Sequence, residues 1–330
     1  MRAEKKKRRT TVNVVGAGRL GTALARALSS AGYDVRAVVN KTAGHARRAA
    51  RLVASKPRAL SASQLSLLPD ADLVILSVPD DALPRVADEL AASLASKEAS
   101  LASVEKGKGK SSVKNEGRRP RRARVALHAS GALSSDVLAP LRARGFAVGS
   151  MHPLASVSAD AEAGAESLRA AFYCVEGDAG ALRAARRAVR DLGGRSFSIQ
   201  ASDKALYHAA AVVASGHTVA LFDLAARTLA LCGLSQRRAR QVLLPLLAST
   251  LSNLSHETPP RALTGTFARA DVETVRKHLA ALRARRGDDT EADALATYTL
   301  LGRHSLRLTA ENGADAVALK RIAQLLREEK

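Results

Sequence analysis

The chain has 330 residues, of which 46% are hydrophobic and 25% charged, with 3% aromatics, no Trp and a formal net charge of +21. That length suffices for two domains, and the balance excludes a fibrous or wholly disordered chain. With only Cys174 and Cys232 present, a disulfide framework and a thiolate metal site are excluded as well, and no metal is expected.

Over half of the net charge lies in residues 2–9 and 97–124. Residues 1–10 read as a basic disordered tail. They run straight into the strand-like TTVNVV instead of an apolar leader segment, so a cytoplasmic location is expected. Strand and helix then alternate: strand 12–15, helix 20–30, strand 35–39, helix 43–55, strand 73–78 and helix 82–96. Residues 97–124 are of low complexity and read as a basic, mobile insertion. The lack of interleaved aromatics argues against a nucleic-acid site there. Strand 125–128 follows, with shorter strands at 147–150, 172–175 and 196–199 and a helix at 179–192. Near-continuously apolar strands separated by helices predict a doubly wound, mostly parallel α/β sheet over residues 11–200.

From residue 201 to 330 the pattern becomes all-helical, with helices predicted at 202–231, 235–254, 271–286, 290–311 and 314–328. Ser202 and Ser235 stand at cap positions and Gly233 at a helix end. The most apolar stretch, 205–234, is interrupted by His208, His217, Asp223 and Arg227. It reads as a buried helix rather than a membrane span, packed either within the domain or in a dimer interface.

The segment VNVVGAGRLGTALARAL places G-x-G-x-x-G between a strand and an amphipathic helix. Gly16 permits the tight turn, Gly18 lets backbone approach a pyrophosphate, and Gly21 allows close packing of helix on sheet. Ala17, Arg19 and Leu20 complete the turn. A merely structural glycine turn is the alternative. At the tip of the second strand Asn40, Lys41 and Thr42 replace the acid usual in NAD enzymes, and Arg47 lies nearby. This favours NADP(H) over NAD(H), because an amide and a base accept a 2'-phosphate that a carboxylate would repel. Ser77, Val78 and Pro79, at the next strand's carboxyl end, are expected to line the cofactor cleft; Asp80 and Asp81 read as a helix cap.

The succession VVGAGRLGTALA, ADLVILSVPDDAL, LHASGALSSDVL, MHPLAS, KALYHAAAVVASG and ALTGTFARAD resembles a family that pairs a Rossmann-like domain with a helical domain of unknown function. That family is related to the pyrroline-5-carboxylate reductase, ketopantoate reductase and 6-phosphogluconate dehydrogenase C-terminal-like group. The resemblance implies an NAD(P)-binding Rossmann domain, an all-α 6-phosphogluconate dehydrogenase C-terminal-like domain for substrate and dimerisation, and an NADP-linked oxidoreductase activity. It departs from the family at Thr266 and Ala270, where ALTGP-x-x-RGD has Pro and Gly, and at Gly216 and His217, where relatives tend to have an Asn and an aromatic.

Hydride transfer to a carbonyl or imine needs a proton donor or a stabilising cation. Lys204 is the first catalytic candidate, its placement resembling the lysine of the β-hydroxyacid dehydrogenase relatives, with His208 one turn on and Tyr207 beside it. His128, Ser130, Gly131 and His152 are candidates for holding substrate, as are Thr264 and Arg269, the last as an anchor for an anion. Each has a structural alternative: a core histidine, an exposed lysine, a helix-capping arginine. The reading is an NADP-dependent oxidoreductase acting on a small, anionic carbonyl or imine, as a homodimer through the helical domain, with no membrane or nucleic-acid partner. Its rivals are a catalytically silent dinucleotide-binding protein and nucleic-acid association through 97–124.

Overall fold

A computed structural model describes residues 9–107, 124–284 and 289–327. The expected tail falls almost wholly, and the expected insertion from residue 108 to 123, outside the described residues. The chain divides into two compact units, residues 1–213 and 214–330.

The first unit is built on an eight-stranded sheet. Strands β1 (Thr11–Val15) and β2 (Asp34–Asn40) enclose helix α1 (Arg19–Ser30), and helix α2 (Ala43–Arg51) leads to β3 (Arg58–Ser61). Strand β4 (Leu73–Leu76), helix α3 (Leu83–Gly107), strand β5 (Arg124–His128), the short helix α4 (Ala139–Arg142) and strand β6 (Phe146–Leu154) follow. The short helix α5 (Ala161–Glu166) then precedes β7 (Phe172–Gly177), α6 (Ala179–Asp191), β8 (Arg195–Phe197) and α7 (Lys204–Ala214).

The strand order is β3-β2-β1-β4-β5-β6-β7-β8, parallel throughout except for the antiparallel pair β6/β7. The chain leaves β1 toward one edge and returns to β4 on the other side, which makes the carboxyl ends of β1 and β4 a topological switch point, where open α/β sheets take ligands.

Apolar side chains cover both faces. Ala23, Leu24 and Leu28 of α1, Ala49 and Ala50 of α2, and Ala185 and Val189 of α6 pack on one face; Leu83, Val86 and Leu90 of α3 and Leu138 and Leu141 near α4 pack on the other. Small alanines take the place of aromatics, bringing helices close to the sheet. In α1 the buried positions 21, 24, 25 and 28 follow the helical period, which is why this segment forms an amphipathic helix.

Three expectations are corrected. Strand β3 was absent from the sequence reading because only Leu60 of its four residues is buried, leaving no alternation to detect. Helix α3 does not stop at residue 96 but continues to Gly107, so the first part of the supposed mobile insertion is helical; Ala, Leu, Lys and Glu there are good helix formers despite their weak apolar period. Residue 202 is not a side-chain cap, since the short 3-10 turn Ala201–Asp203 that precedes α7 begins after Gln200.

The second unit is all-helical: α8 (Gly216–Ala230), α9 (Gln236–His256), α10 (Pro259–Ala262), α11 (Gly265–Ala268), α12 (Val272–Arg283), α13 (Asp289–Glu311) and α14 (Ala316–Leu325). Ser235 caps α9 by accepting from Arg238 N, and Gly233 takes a φ of +93° at the preceding helix end, both as expected. Its core gathers Val275, Leu279, Leu295, Leu306, Ile322 and Leu326.

The predicted helix over 202–231 is broken at Ser215, where α7 gives way to α8, and it is not buried within its own chain. Ala201–Ala230 is long and apolar enough to span a membrane by length and composition, yet only 6% of its most apolar window is buried. Leu206, Val213 and Val219 are 76%, 61% and 70% exposed. Most of this segment is thus exposed, with Lys204 and Ala226 its buried residues.

Candidate functional site

The glycine turn has the geometry its sequence demands. Gly16 adopts φ +98°, and a Cβ there would overlap the Ser77 backbone; a Cβ on Gly21 would overlap the Gly16 carbonyl. Gly18 differs, because a Cβ on it would meet nothing within 4 Å. Gly16 and Gly21 are therefore required by packing, while Gly18 faces open space at the start of α1. That helix end has no side-chain cap, so its first N–H groups are left for an external acceptor. A phosphate of a dinucleotide fits this cradle in both shape and sign.

Beside it lies a cavity of about 350 Å3 lined by Ala17, Gly18, Arg19, Thr22, Asn40, His45, Arg48, Leu52 and Asp160, among others. Arg19 and Asn40, two of the cofactor candidates, line this cavity. Asn40 is not a free ligand, however: its Nδ2 donates to the Ala17 carbonyl (2.6 Å) and its Oδ1 accepts from Lys41 N (2.6 Å), tying the end of β2 to the glycine turn. Thr42 caps α2, accepting from His45 N (3.3 Å). Lys41 is exposed and does not line the cavity, and neither does Arg47. The basic residues that do are His45 and Arg48, which sequence reasoning missed. Their spacing of three residues, continued at Leu52, marks one face of α2 and is the signal that pointed to them.

From Gly16 a continuous ledge runs along the carboxyl ends of the strands. Ser77 follows β4, abuts Gly16 and donates its N–H to Val15 O (2.7 Å), and Ala129 N donates to Leu76 O (2.9 Å). Val78 packs on the core and Pro79 O accepts from Ala82 N at the start of α3. Beyond β5 the ledge carries His128, Ser130 and Gly131, β6 contributes Ser150 and His152, β7 contributes Cys174, and α7 contributes Lys204, Tyr207 and His208. The cluster lies entirely within the first unit.

His128 is fully buried. Its Nδ1 accepts from Ser130 N (3.2 Å), which leaves the proton on Nε2 to be donated to Ser134 O (3.1 Å). Burial, with the Lys204 charge second, pushes its pKa down to about 4. With both nitrogens engaged, His128 shapes the loop after β5 instead of reaching outward. Ser130 does the same, its Oγ accepting from Ala132 N (3.2 Å) and Leu133 N (3.0 Å).

Lys204 is 1% exposed. Its Nζ donates to Ser130 O (3.1 Å) and Ser150 Oγ (2.7 Å) and lies 5.7 Å from the Tyr207 ring centroid. Burial lowers its pKa, opposed by Cys174, Glu176 and Asp80. The Glu176 carboxylate is occupied with Ser135, accepting from its N (2.8 Å) and Oγ (2.6 Å). Lys204 thus acts inward, on the loop after β5 and on β6, and its charge reaches the cluster through space.

The groups that face outward are the imidazoles of His152 and His208. Their ring centroids are 5.7 Å apart in an edge-to-face arrangement. Gly131 is what admits them: a Cβ there would overlap His208 and stand 2.9 Å from His152 Nε2 and Cε1. His152 Nδ1 is 2.6 Å from the Tyr207 hydroxyl. Burial, then the charges of Lys204 and His208, bring the His152 pKa down to about 4, so it is neutral at physiological pH.

Thr264 and Arg269 lie in the second unit, both exposed, at the two ends of α11. Among the described residues no group of three or more His, Cys, Asp and Glu side chains is arranged to hold a metal ion.

Residues 1–111 match the Rossmann-like domain and residues 171–305 match the domain of unknown function DUF2520. Protein TM1727 from Thermotoga maritima shares 22% identity over 91% of this chain and 99% of its own, with a TM-score of 0.64. A 1-pyrroline-5-carboxylate reductase from Streptococcus pyogenes has 16% identity over 87% and 98%, with a TM-score of 0.54. A Plasmodium falciparum pyrroline carboxylate reductase with NADP bound has 11% identity over 97% of both chains, with a TM-score of 0.52. At these identities what is shared is the fold. Curated protein sequences contain no match. The two matches, a Rossmann-like domain followed by DUF2520, fall in the order that the motif succession resembles.

Proposed function

We propose that this protein is a cytoplasmic, NADP(H)-linked oxidoreductase acting on a small, anionic carbonyl or imine compound, with the helical unit serving substrate binding and homodimerisation. The observation that carries this reading is the succession along one sheet edge: an open phosphate cradle at Gly18, a cavity rimmed by Arg19, His45 and Arg48, and a cluster of imidazole, phenol and ammonium groups beyond β5.

Bound NADP(H) supplies a hydride equivalent. The turn Gly16 to Gly21 and the start of α1 receive its phosphates. Arg48, with His45 and Arg19, favours a 2'-phosphate through charge-assisted hydrogen bonds. Asn40 braces the glycine turn, and Ser77, Val78 and Pro79 wall the ledge. Thr264 and Arg269 belong to the substrate side of the reading, Arg269 as the anchor for an anionic group. The similarity in fold to a reductase crystallised with NADP supports the choice of cofactor.

The reading is tested by titrating the full chain with NADPH and NADH. NADPH binds more tightly, and Arg48→Ala lowers NADPH affinity by about 10- to 100-fold, the size of one or two charge-assisted hydrogen bonds, while NADH binding changes little. Equal affinity of the unmutated chain for both would sink the NADP assignment. Saturable NADPH binding with no turnover of any 2-oxo acid or cyclic imine would favour a silent dinucleotide-binding protein.

A further inference from the structure

We propose that the Nε2–H of His152, aligned by Tyr207, is the hydrogen-bond donor that polarises the carbonyl or imine of the substrate, and that Lys204 is a positioning residue rather than the proton donor. This rests on the oxidoreductase reading and assigns the roles at its reacting end.

Cys174, Tyr207 and His152 stand in a row. Cys174 is fully buried and burial raises the pKa of its thiol, so the sulfur keeps its proton within hydrogen-bonding reach of the Tyr207 hydroxyl. The Tyr207 pKa is also raised, chiefly by burial, so its hydroxyl stays protonated, and it lies 2.6 Å from His152 Nδ1, a contact we read with the hydroxyl as donor. An imidazole that accepts at Nδ1 and is neutral carries its proton on Nε2. That nitrogen has no protein partner among the described hydrogen bonds and is not a buried unsatisfied atom, so it opens to the surface beside Gly131.

Burial is the first cause of the neutrality of His152, and the charges that face it add to it. Lys204, Tyr207 and His208 approach from α7, His128 from β5 and Cys174 from β7. Of these, the Lys204 ammonium is the fixed positive charge, and its two hydrogen bonds to Ser130 O and Ser150 Oγ hold it inside. An ammonium so enclosed is badly placed to give a proton to a ligand. It is well placed to keep the imidazole from taking a second one.

A neutral imidazole N–H is a useful electrophile because its hydrogen bond strengthens as negative charge builds on the substrate heteroatom, without the cost of burying another cation. In the reduction of a carbonyl, the hydride brings an electron pair to carbon, the π pair moves onto oxygen, and His152 donates a hydrogen bond to that oxygen. The proton that completes the alcohol comes from water, and His152 ends with the proton it began with.

Nitrogen-15 spectra of the imidazoles in the labelled full chain, at pH 7 with and without NADPH, test the assignment. His152 is expected as the neutral Nε2–H tautomer. Tyr207→Phe, which removes the hydroxyl alone, yields a mixture of tautomers. Lys204→Gln moves the His152 titration midpoint from about 4 toward 6.5, and Lys204→Arg leaves it low. An Nδ1–H tautomer or an imidazolium in the unmutated chain overturns the proposal, and this measurement decides even where a variant does not fold. For any 2-oxo acid or cyclic imine that is turned over, His152→Phe lowers kcat roughly 100-fold while NADPH affinity is kept; unchanged turnover would refute the role. Failure of NADPH to bind would overturn the oxidoreductase reading instead, and the tautomer would still be read.

Discussion

Ala270 shows how one residue reports on its family and on its own backbone. It stands where related sequences have the Gly of RGD, and it adopts φ +49°, in the left-handed region that favours glycine. It is also 8% exposed, so the loop cannot easily relax. Ala270→Gly is expected to stabilise the helical unit by about 1 kcal/mol, seen as a higher denaturant midpoint with an unchanged slope. A lower midpoint would mean that the buried methyl outweighs the strain. His128 and His152 carry a second prediction at this scale. Both have folded-state pKa values near 4 against 6.5 unfolded, so the unfolded chain binds protons first as the pH falls. Their contribution is complete above pH 6.5 and declines between 6.5 and 4, by on the order of 3 kcal/mol for each histidine. Denaturation at stepped pH checks this, and His128→Asn should flatten part of the slope.

Elements decide what these residues do. The glycine turn was legible because a strand, three spaced glycines and an amphipathic helix occur in one short segment. The partners of that turn were not. Asn40 and Thr42 stood out as ligands because they end a strand, but the structure uses the first to brace Ala17 and the second to cap α2. Unpaired backbone groups at strand and helix ends compete for nearby polar side chains, and here the backbone won. Asn40→Asp therefore does more than alter coenzyme choice. It sets a carboxylate against the Ala17 carbonyl and is expected to weaken binding of NADPH and NADH alike, with a loss of about 1–2 kcal/mol in stability. A loss confined to NADPH, with stability intact, would show that the brace is dispensable. Lys204 was similarly legible as a chemical group, at the first turn of a helix after the last strand. That its Nζ turns inward onto Ser130 and Ser150 depends on β5 and β6 lying side by side, which no local pattern records.

For the molecule as a whole, the large exposed apolar surface requires an explanation. Leu206 and Val213 on α7, Val219 and Leu221 on α8, Val242, Leu244, Leu246, Leu251 and Leu254 on α9, and Leu300 and Leu301 on α13 are all exposed. The homodimer proposed above would cover apolar side chains of this kind. Light scattering on the full chain is expected to give the mass of a dimer, and Leu244→Glu with Leu246→Glu to shift it toward a monomer. A monomeric unmutated chain at micromolar concentration would refute the dimer.

The sequence by itself determined the layered α/β class, the helical second half, the position of the phosphate cradle and the set of side chains able to do chemistry, because each is written in local spacing: apolar period, glycine interval, cap residue. Only the tertiary structure decided which of those side chains turn to the fold and which are left open to cavity or surface. His128, Ser130, Asn40 and Lys204 are turned to the protein; His45, Arg48, His152 and His208 face cavity or surface. The reason is physical. Direction and protonation are set by burial, by charges distant in the chain and by competing hydrogen bonds, and these exist only once β4, β5, β6 and α7 are packed together.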